Sequence, residues 1–178
     1  MALIEPIGTS RQKRVVEATA DYVEQAQKLF DADFNQVTVR FDLKGKAAGM
    51  YRVQKGERVI RYNPYLFAKY FNDNLEVTVP HEVAHYVTDR VYNLRHIRPH
   101  GSEWKELMAE FGASASRTCN YDLEGIPHRV FQRFPYYCDC THHDLTARRH
   151  NQIQQGKKLY FCRQCGSSLV PQEQSLNQ

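Results

Sequence analysis

The sequence predicts an α+β fold in which a helical domain with a short antiparallel sheet is followed by a small C-terminal module rich in cysteine. Three observations carry this. Several segments of the first two thirds place apolar residues at helical spacing. Three short stretches among them are β-branched, alternating and bounded by turn residues. Near Phe134-Pro135 the helical periodicity gives way to Cys, His, Arg and turn residues. The expected boundaries are therefore residues 1–133, 134–170 and a disordered tail at 171–178. A chain of 178 residues, 42% hydrophobic and 25% charged, is long enough to bury a core, which excludes disordered, collagenous and fibrous classes. No apolar stretch approaches the ~20 residues of a membrane span, and mean hydropathy is -0.64. No secretory signal is visible at the N-terminus, so a cytoplasmic monomer without a membrane partner is expected.

Residues 10 to 31 carry Val15, Thr19, Tyr22, Val23 and Ala26 at helical spacing with charges on the other face, and Ser10 is available as an N-cap. Val37-Thr-Val-Arg-Phe-Asp, Gly49-Met-Tyr-Arg-Val and Val59-Ile-Arg-Tyr-Asn read as three strands, the last two joined by a Lys55-Gly56 turn. Asn63-Pro64 ends the third strand and starts a short helix, since proline suits the first helical turn. The next helix runs from about Leu75 to Asn93, but Pro80 lies inside it. Proline removes a hydrogen bond and crowds the preceding turn, so the helix is either kinked there or starts later than its pattern suggests. A further helix follows Gly101-Ser102, with Trp104, Leu107, Met108 and Phe111 on its apolar side and Gly112 as its stop.

His81-Glu82-Val83-Ala84-His85 is an HExxH pattern on a predicted helix. Four residues are about one turn, so both imidazoles project from one face and can share a metal ion, with Glu82 beside them. Neutral imidazole suits Zn²⁺, and three protein ligands leave a position for water whose proton Glu82 can accept. A third ligand must come from downstream. His96, His100 and Glu103 are the candidates, and sequence geometry does not separate them; a third histidine six residues after His85 is excluded, because that position is Val91.

Of the five cysteines, Cys119 stands alone and reads as a buried thiol, while Cys138-x-Cys140 and Cys162-x-x-Cys165 form two pairs. An odd count without a signal peptide argues against a disulfide framework and for a second, structural zinc in a ribbon. Cys140-x-x-His143 also has ligand spacing, so Cys₄ and Cys₃His sets are both open, with Cys₄ favoured. Charge follows the same division. Residues 126–178 hold seven Lys and Arg against three Asp and Glu, which accounts for the whole net charge of +4. Arg148, Arg149, Lys157 and Lys158 lie between the cysteine pairs, on an expected long hairpin, and give the module the sign for weak, sequence-independent DNA binding. Tyr160 and Phe161 beside them are expected to pack under the ribbon rather than to stack on bases.

His81-Glu-Val-Ala-His85 followed by His100-Gly-Ser-Glu-Trp104 resembles the HExxH...H-G-x-x-[FW] signature of SprT-like zinc proteins, a group that includes the Spartan proteases of eukaryotes. Phe134-Pro-Tyr-Tyr-Cys-Asp-Cys, Leu145-Thr-Ala-Arg-Arg-His-Asn and Tyr160-Phe-Cys-Arg-Gln-Cys-Gly look like the zinc ribbon of its bacterial members, so the resemblance spans about residues 10 to 170. It implies a zincin-like domain in which His100 is the third ligand and Glu82 the general base. It also implies a zinc-dependent endopeptidase, and the Spartan branch points to proteins bound or crosslinked to DNA as substrates. The competing class is a zinc-ribbon nucleic-acid or transcription-associated binding protein with an inactive or regulatory site. Glu82 favours the enzyme, because a binding protein needs no base.

Overall fold

The computed structural model describes residues 3–93, 96–115, 120–128 and 132–172, and the chain divides into two compact units, Met1–His128 and Arg129–Gln178. The first combines several helices with a small sheet, the second one short helix with another among the described residues. Among the described residues, no helix is long and apolar enough to cross a membrane. Cys119 lies outside the described residues, as does the tail from 173 onward.

In the first unit, α1 (Thr9–Phe30) buries Val15, Thr19, Val23 and Ala26, a stripe recurring every three or four residues as its pattern requires. Gly8, not Ser10, is its N-cap, so the helix starts two residues earlier than its cap signal suggests. Strands β1 (Thr38–Arg40), β2 (Gly49–Gln54) and β3 (Glu57–Tyr62) follow in the spatial order β1-β3-β2. β2 and β3 form the expected hairpin through a two-residue turn in which both Lys55 (φ 51°) and Gly56 (φ 83°) are left-handed.

The expectation of an antiparallel sheet needs correction at β1, which pairs with β3 in parallel. β2 already occupies one edge of β3, so β1 takes the other. The chain between β1 and β2 passes over the end of β3 and is pinned there: the Leu43 N–H donates to the Tyr62 carbonyl, and the Asn63 amide to the carbonyls of Gly45 and Ala47. Asn63 also caps α2 (Pro64–Lys69) by accepting from the N–H groups of Tyr65 and Leu66. A turn of helix, α3 (Phe71–Asp73), leads into one wide π turn, Asn74–Thr78, and then α4 (Val79–Tyr92).

That π turn resolves the difficulty at Pro80. Proline falls in the first turn of α4, and the wider turn before it relieves the crowding its ring would cause. The Val79 N–H reaches back to the Asn74 carbonyl, the bond that defines the wide turn. Buried Asn74 and Thr78 side chains brace it, with the Thr78 hydroxyl donating to the Asn74 amide oxygen at 2.7 Å. α4 is the central element of the unit, packing on α1, β2, β3 and α5 (Ser102–Glu110). Val79, Val83, Ala84 and Val87 are completely buried, so its two histidines are presented from a rigid rod.

The second unit is a sheet in the order β5-β4-β6, made of β4 (Arg133–Tyr137), β5 (His142–Thr146) and β6 (Val170–Pro171). Cys138 and Cys140 lie in the β4–β5 turn. Arg148 and Arg149 stand not on a hairpin but on a helix, α6 (Ala147–Gln154). Alanine, arginine and glutamine there all favour helix, and Gly156 (φ 64°) stops it. His150 fastens α6 to the sheet: its ring stacks on Phe134 with centroids 3.8 Å apart, and its Nδ1 lies 3.0 Å from the Tyr136 hydroxyl.

Candidate functional site

The start of α4 and the loop before α5 converge on three imidazoles. His81 and His85, one turn apart, have their Nε2 atoms 3.2 Å from each other, and the His100 Nε2 lies 3.1 Å from the first and 3.0 Å from the second. A tetrahedral zinc with Zn–N bonds of about 2.0–2.1 Å would set its nitrogen ligands about 3.3–3.4 Å apart. The triangle therefore has the size of a zinc face. Its chemistry also fits, because three Nε2 lone pairs aimed at one point repel unless a cation lies between them. Burial, together with the neighbouring His81 and His100, holds the pKa of His85 down at about 3, which keeps it neutral and able to coordinate.

His100 reaches this position by a backbone distortion. It adopts φ 57°, a left-handed conformation unusual for a residue with a side chain, in a turn closed by the Gly101 N–H on the Arg98 carbonyl at 2.9 Å. The turn swings the ring back toward α4. Glu103, on the first turn of α5, has its carboxylate beside the Ser102 hydroxyl at 3.2 Å, and neither it nor His96 joins the histidine group. Trp104 lies beneath all three rings, with centroid distances of 4.8 Å to His81, 5.6 Å to His85 and 4.7 Å to His100. It is the core residue its spacing suggests, and it is also the floor of the site.

Glu82 is only 6% exposed and packs against β2. Its Oε2 accepts the Tyr51 N–H at 2.6 Å. Burial lifts its pKa to about 7, opposed by that hydrogen bond; a bound cation would draw it down again. The closeness of strand and helix depends on Gly49, since a Cβ there would stand 2.6 Å from the Glu82 Cγ and 2.7 Å from its Oε1. One further group escapes the sequence reading. The buried Asp89 carboxylate accepts from the Tyr51 hydroxyl at 2.6 Å and from the Arg58 Nε at 2.7 Å. Its only sequence signal is an acid placed seven residues, two helical turns, after Glu82.

In the second unit, sulfur atoms of Cys138, Cys140, Cys162 and Cys165 lie within 4.8 Å of one another. Cys138 and Cys140 are 3.4 Å apart, Cys140 and Cys162 3.7 Å, near the roughly 3.8 Å that Zn–S bonds of about 2.3 Å would impose. His143 stands behind this group, its Nε2 3.3 Å from the Cys138 sulfur. The Cys162–Cys165 turn is built to hold thiolates: the Gln164 N–H points at the Cys162 sulfur at 3.4 Å, and hydrogen bonds from Ser167 lower the Cys165 pKa to about 6. Phe161 is 59% exposed rather than packed beneath the ribbon. The Arg149 guanidinium lies 5.5 Å from the Tyr160 ring centre.

A model of the SprT-like family matches residues 19–125. Protein SprT of Pasteurella multocida is 32% identical over 161 residues, covering 90% of this chain and 93% of that protein. Protein SprT of Vibrio atlanticus is 35% identical over 163 residues, covering 91% and 94%. Protein SprT of Klebsiella pneumoniae is 31% identical over 163 residues, again covering 91% and 94%. No solved structure matches the chain at a significant level. With the family model spanning more than half of the sequence and relatives aligned along nearly its whole length, the chain belongs to the SprT-like family.

Proposed function

We propose that the protein is a zinc-dependent endopeptidase acting on proteins bound or crosslinked to DNA, with a second, structural zinc in its C-terminal ribbon. The observation that carries the catalytic part is the triangle of His81, His85 and His100 nitrogens, with the buried Glu82 next to His81 in the chain. Zinc held by these three histidines would supply a Lewis acid for the scissile carbonyl and lower the pKa of the attacking water. Glu82 is the carboxylate that would accept the proton of the attacking water and return it to the departing amine. Trp104 fixes the planes of the three imidazoles from below. Cys138, Cys140, Cys162 and Cys165 hold the structural ion.

The DNA part rests on the second unit. It carries Arg148 and Arg149 on α6, Lys157 and Lys158 just beyond it, and exposed Leu159 and Phe161 alongside. An open groove of about 490 Å³ lined by Arg149, Tyr160, Phe161 and Arg163 joins cationic and aromatic groups, the pairing that suits phosphate and base. Binding is expected to be weak and independent of sequence. Roughly four phosphate contacts give a log-log salt slope near -3. Reversing the charge of Arg148, Arg149, Lys157 and Lys158 should abolish binding and leave cleavage of a free unfolded peptide intact. The experiment is a titration with DNA at several salt concentrations, run beside proteolysis of a basic DNA-binding protein with and without DNA. Affinity that ignores salt, or proteolysis that DNA does not accelerate, removes the tether.

A further inference from the structure

The β2 strand carries a device that the sequence motifs do not announce. β2 is an edge strand, and its hairpin register alternates hydrogen-bonded and open pairs. Counting back from the two-residue turn, Gln54, Arg52 and Met50 bond to β3, so Tyr51 faces outward with its N–H directed away from the sheet. That outward N–H meets the Glu82 carboxylate at 2.6 Å. A row of unpaired edge donors normally faces water; here one is spent on a buried acid. Gly49 and Tyr51 share the strand face turned toward α4. At Gly49 the backbone comes so close that an added Cβ would overlap the Glu82 Cγ and the Thr78 methyl, at 2.6 and 2.8 Å. The Tyr51 side chain donates its hydroxyl to Asp89, seven residues after Glu82 on α4, and Arg58 holds the same carboxylate from β3. The strand is thus fastened to the helix on both sides of the Glu82 contact.

We propose that Gly49, Tyr51 and Asp89 form a positioning frame for Glu82: Asp89 anchors the Tyr51 side chain, the anchored strand aims the Tyr51 N–H, and that N–H fixes one carboxylate oxygen so that the other is held for proton transfer. The inference rests on Glu82 being the general base. Their proposed role is positioning and requires no contact with substrate. They act through Glu82, and a displacement of about 1 Å in a group that must meet a reacting atom can cost 10²-fold in rate.

The test uses the full-length, zinc-loaded protein and the variants Tyr51→Phe, Asp89→Asn and Gly49→Ala. Tyr51→Phe keeps the ring and the backbone N–H and removes only the anchor. Each variant is assayed for kcat and KM on an unfolded peptide, for zinc per chain, and by NMR for the amide proton of residue 51, which a carboxylate partner holds downfield. The frame requires kcat to fall about ten- to hundredfold with KM and zinc content unchanged. It also requires the residue 51 amide to move upfield in Tyr51→Phe and Asp89→Asn. Gly49→Ala is the severest change, and the two milder variants decide the matter if it fails to fold. Wild-type kcat and an unmoved amide in both milder variants overturn the frame, as does a kcat loss that merely follows lost zinc. Wild-type turnover in Glu82→Gln overturns the base reading itself, which separates that failure from failure of the frame alone.

Discussion

Glu82→Gln is expected to retain the fold and both metal groups while hydrolysis of an unfolded peptide falls by about 10²- to 10⁴-fold, the usual contribution of a positioned general base. Glutamine preserves the shape of the side chain and still offers an oxygen to the Tyr51 N–H, so the packing of β2 on α4 survives. What it lacks is a basic oxygen. Burial raises the Glu82 pKa, so a neutral side chain of the same shape is readily accommodated there. Zinc per chain and the thermal transition should therefore match the wild type. Cleavage at the wild-type rate would remove Glu82 from the reaction.

Removing metal from the C-terminal unit is expected to unfold it. Tyr136, Leu145 and Cys162 are its buried apolar residues among those described, a small core for a sheet with one short helix. Structural zinc supplies about 10 kcal/mol or more in modules of this kind, far beyond what so small a core contributes. Cys162→Ser or Cys165→Ser should thus cost the second unit its dispersed amide spectrum and lower zinc by one ion per chain. The histidine group and its ion should persist. His143 beside Cys138 offers a substitute nitrogen on the other half of the site, so Cys138→Ser is expected to be milder than Cys162→Ser. A metal-free second unit that keeps its native amide spectrum would show that the cysteines pack without an ion.

Much of the site was legible in the sequence because it rests on local spacing. His81 and His85 are one helical turn apart, and no tertiary detail is needed to place them on one face. Pro80 announced a disturbance, though not its form, since the wide turn that relieves it depends on bracing by Asn74 and Thr78. His100 and Glu103 were inseparable by spacing, because the left-handed turn that carries the His100 ring back to α4 is a backbone conformation most residues avoid. The parallel pairing of β1 with β3 was hidden for a similar reason. Alternation identifies a strand but not its neighbour, and here the neighbour was chosen by a loop tied down at Asn63. The Tyr51, Asp89 and Glu82 contacts join residues 31 to 38 positions apart, and only the register of strand against helix creates them. In the second unit the cysteine spacing marked the four sulfur atoms that the fold brings together. The helix that replaces the expected hairpin has a visible cause in Ala147, Arg148 and Arg149, whose helical preference outweighs the pull of the flanking strands.

The central claim is that His81, His85 and His100 hold the metal ion at which peptide bonds are cleaved. Zinc per chain and peptide hydrolysis, measured together in His100→Ala and Glu103→Ala, test it most directly. The account predicts that His100→Ala keeps only the ribbon ion and loses cleavage, while Glu103→Ala keeps both ions and most of its activity. The reverse outcome, with zinc and cleavage lost in Glu103→Ala and retained in His100→Ala, would contradict it.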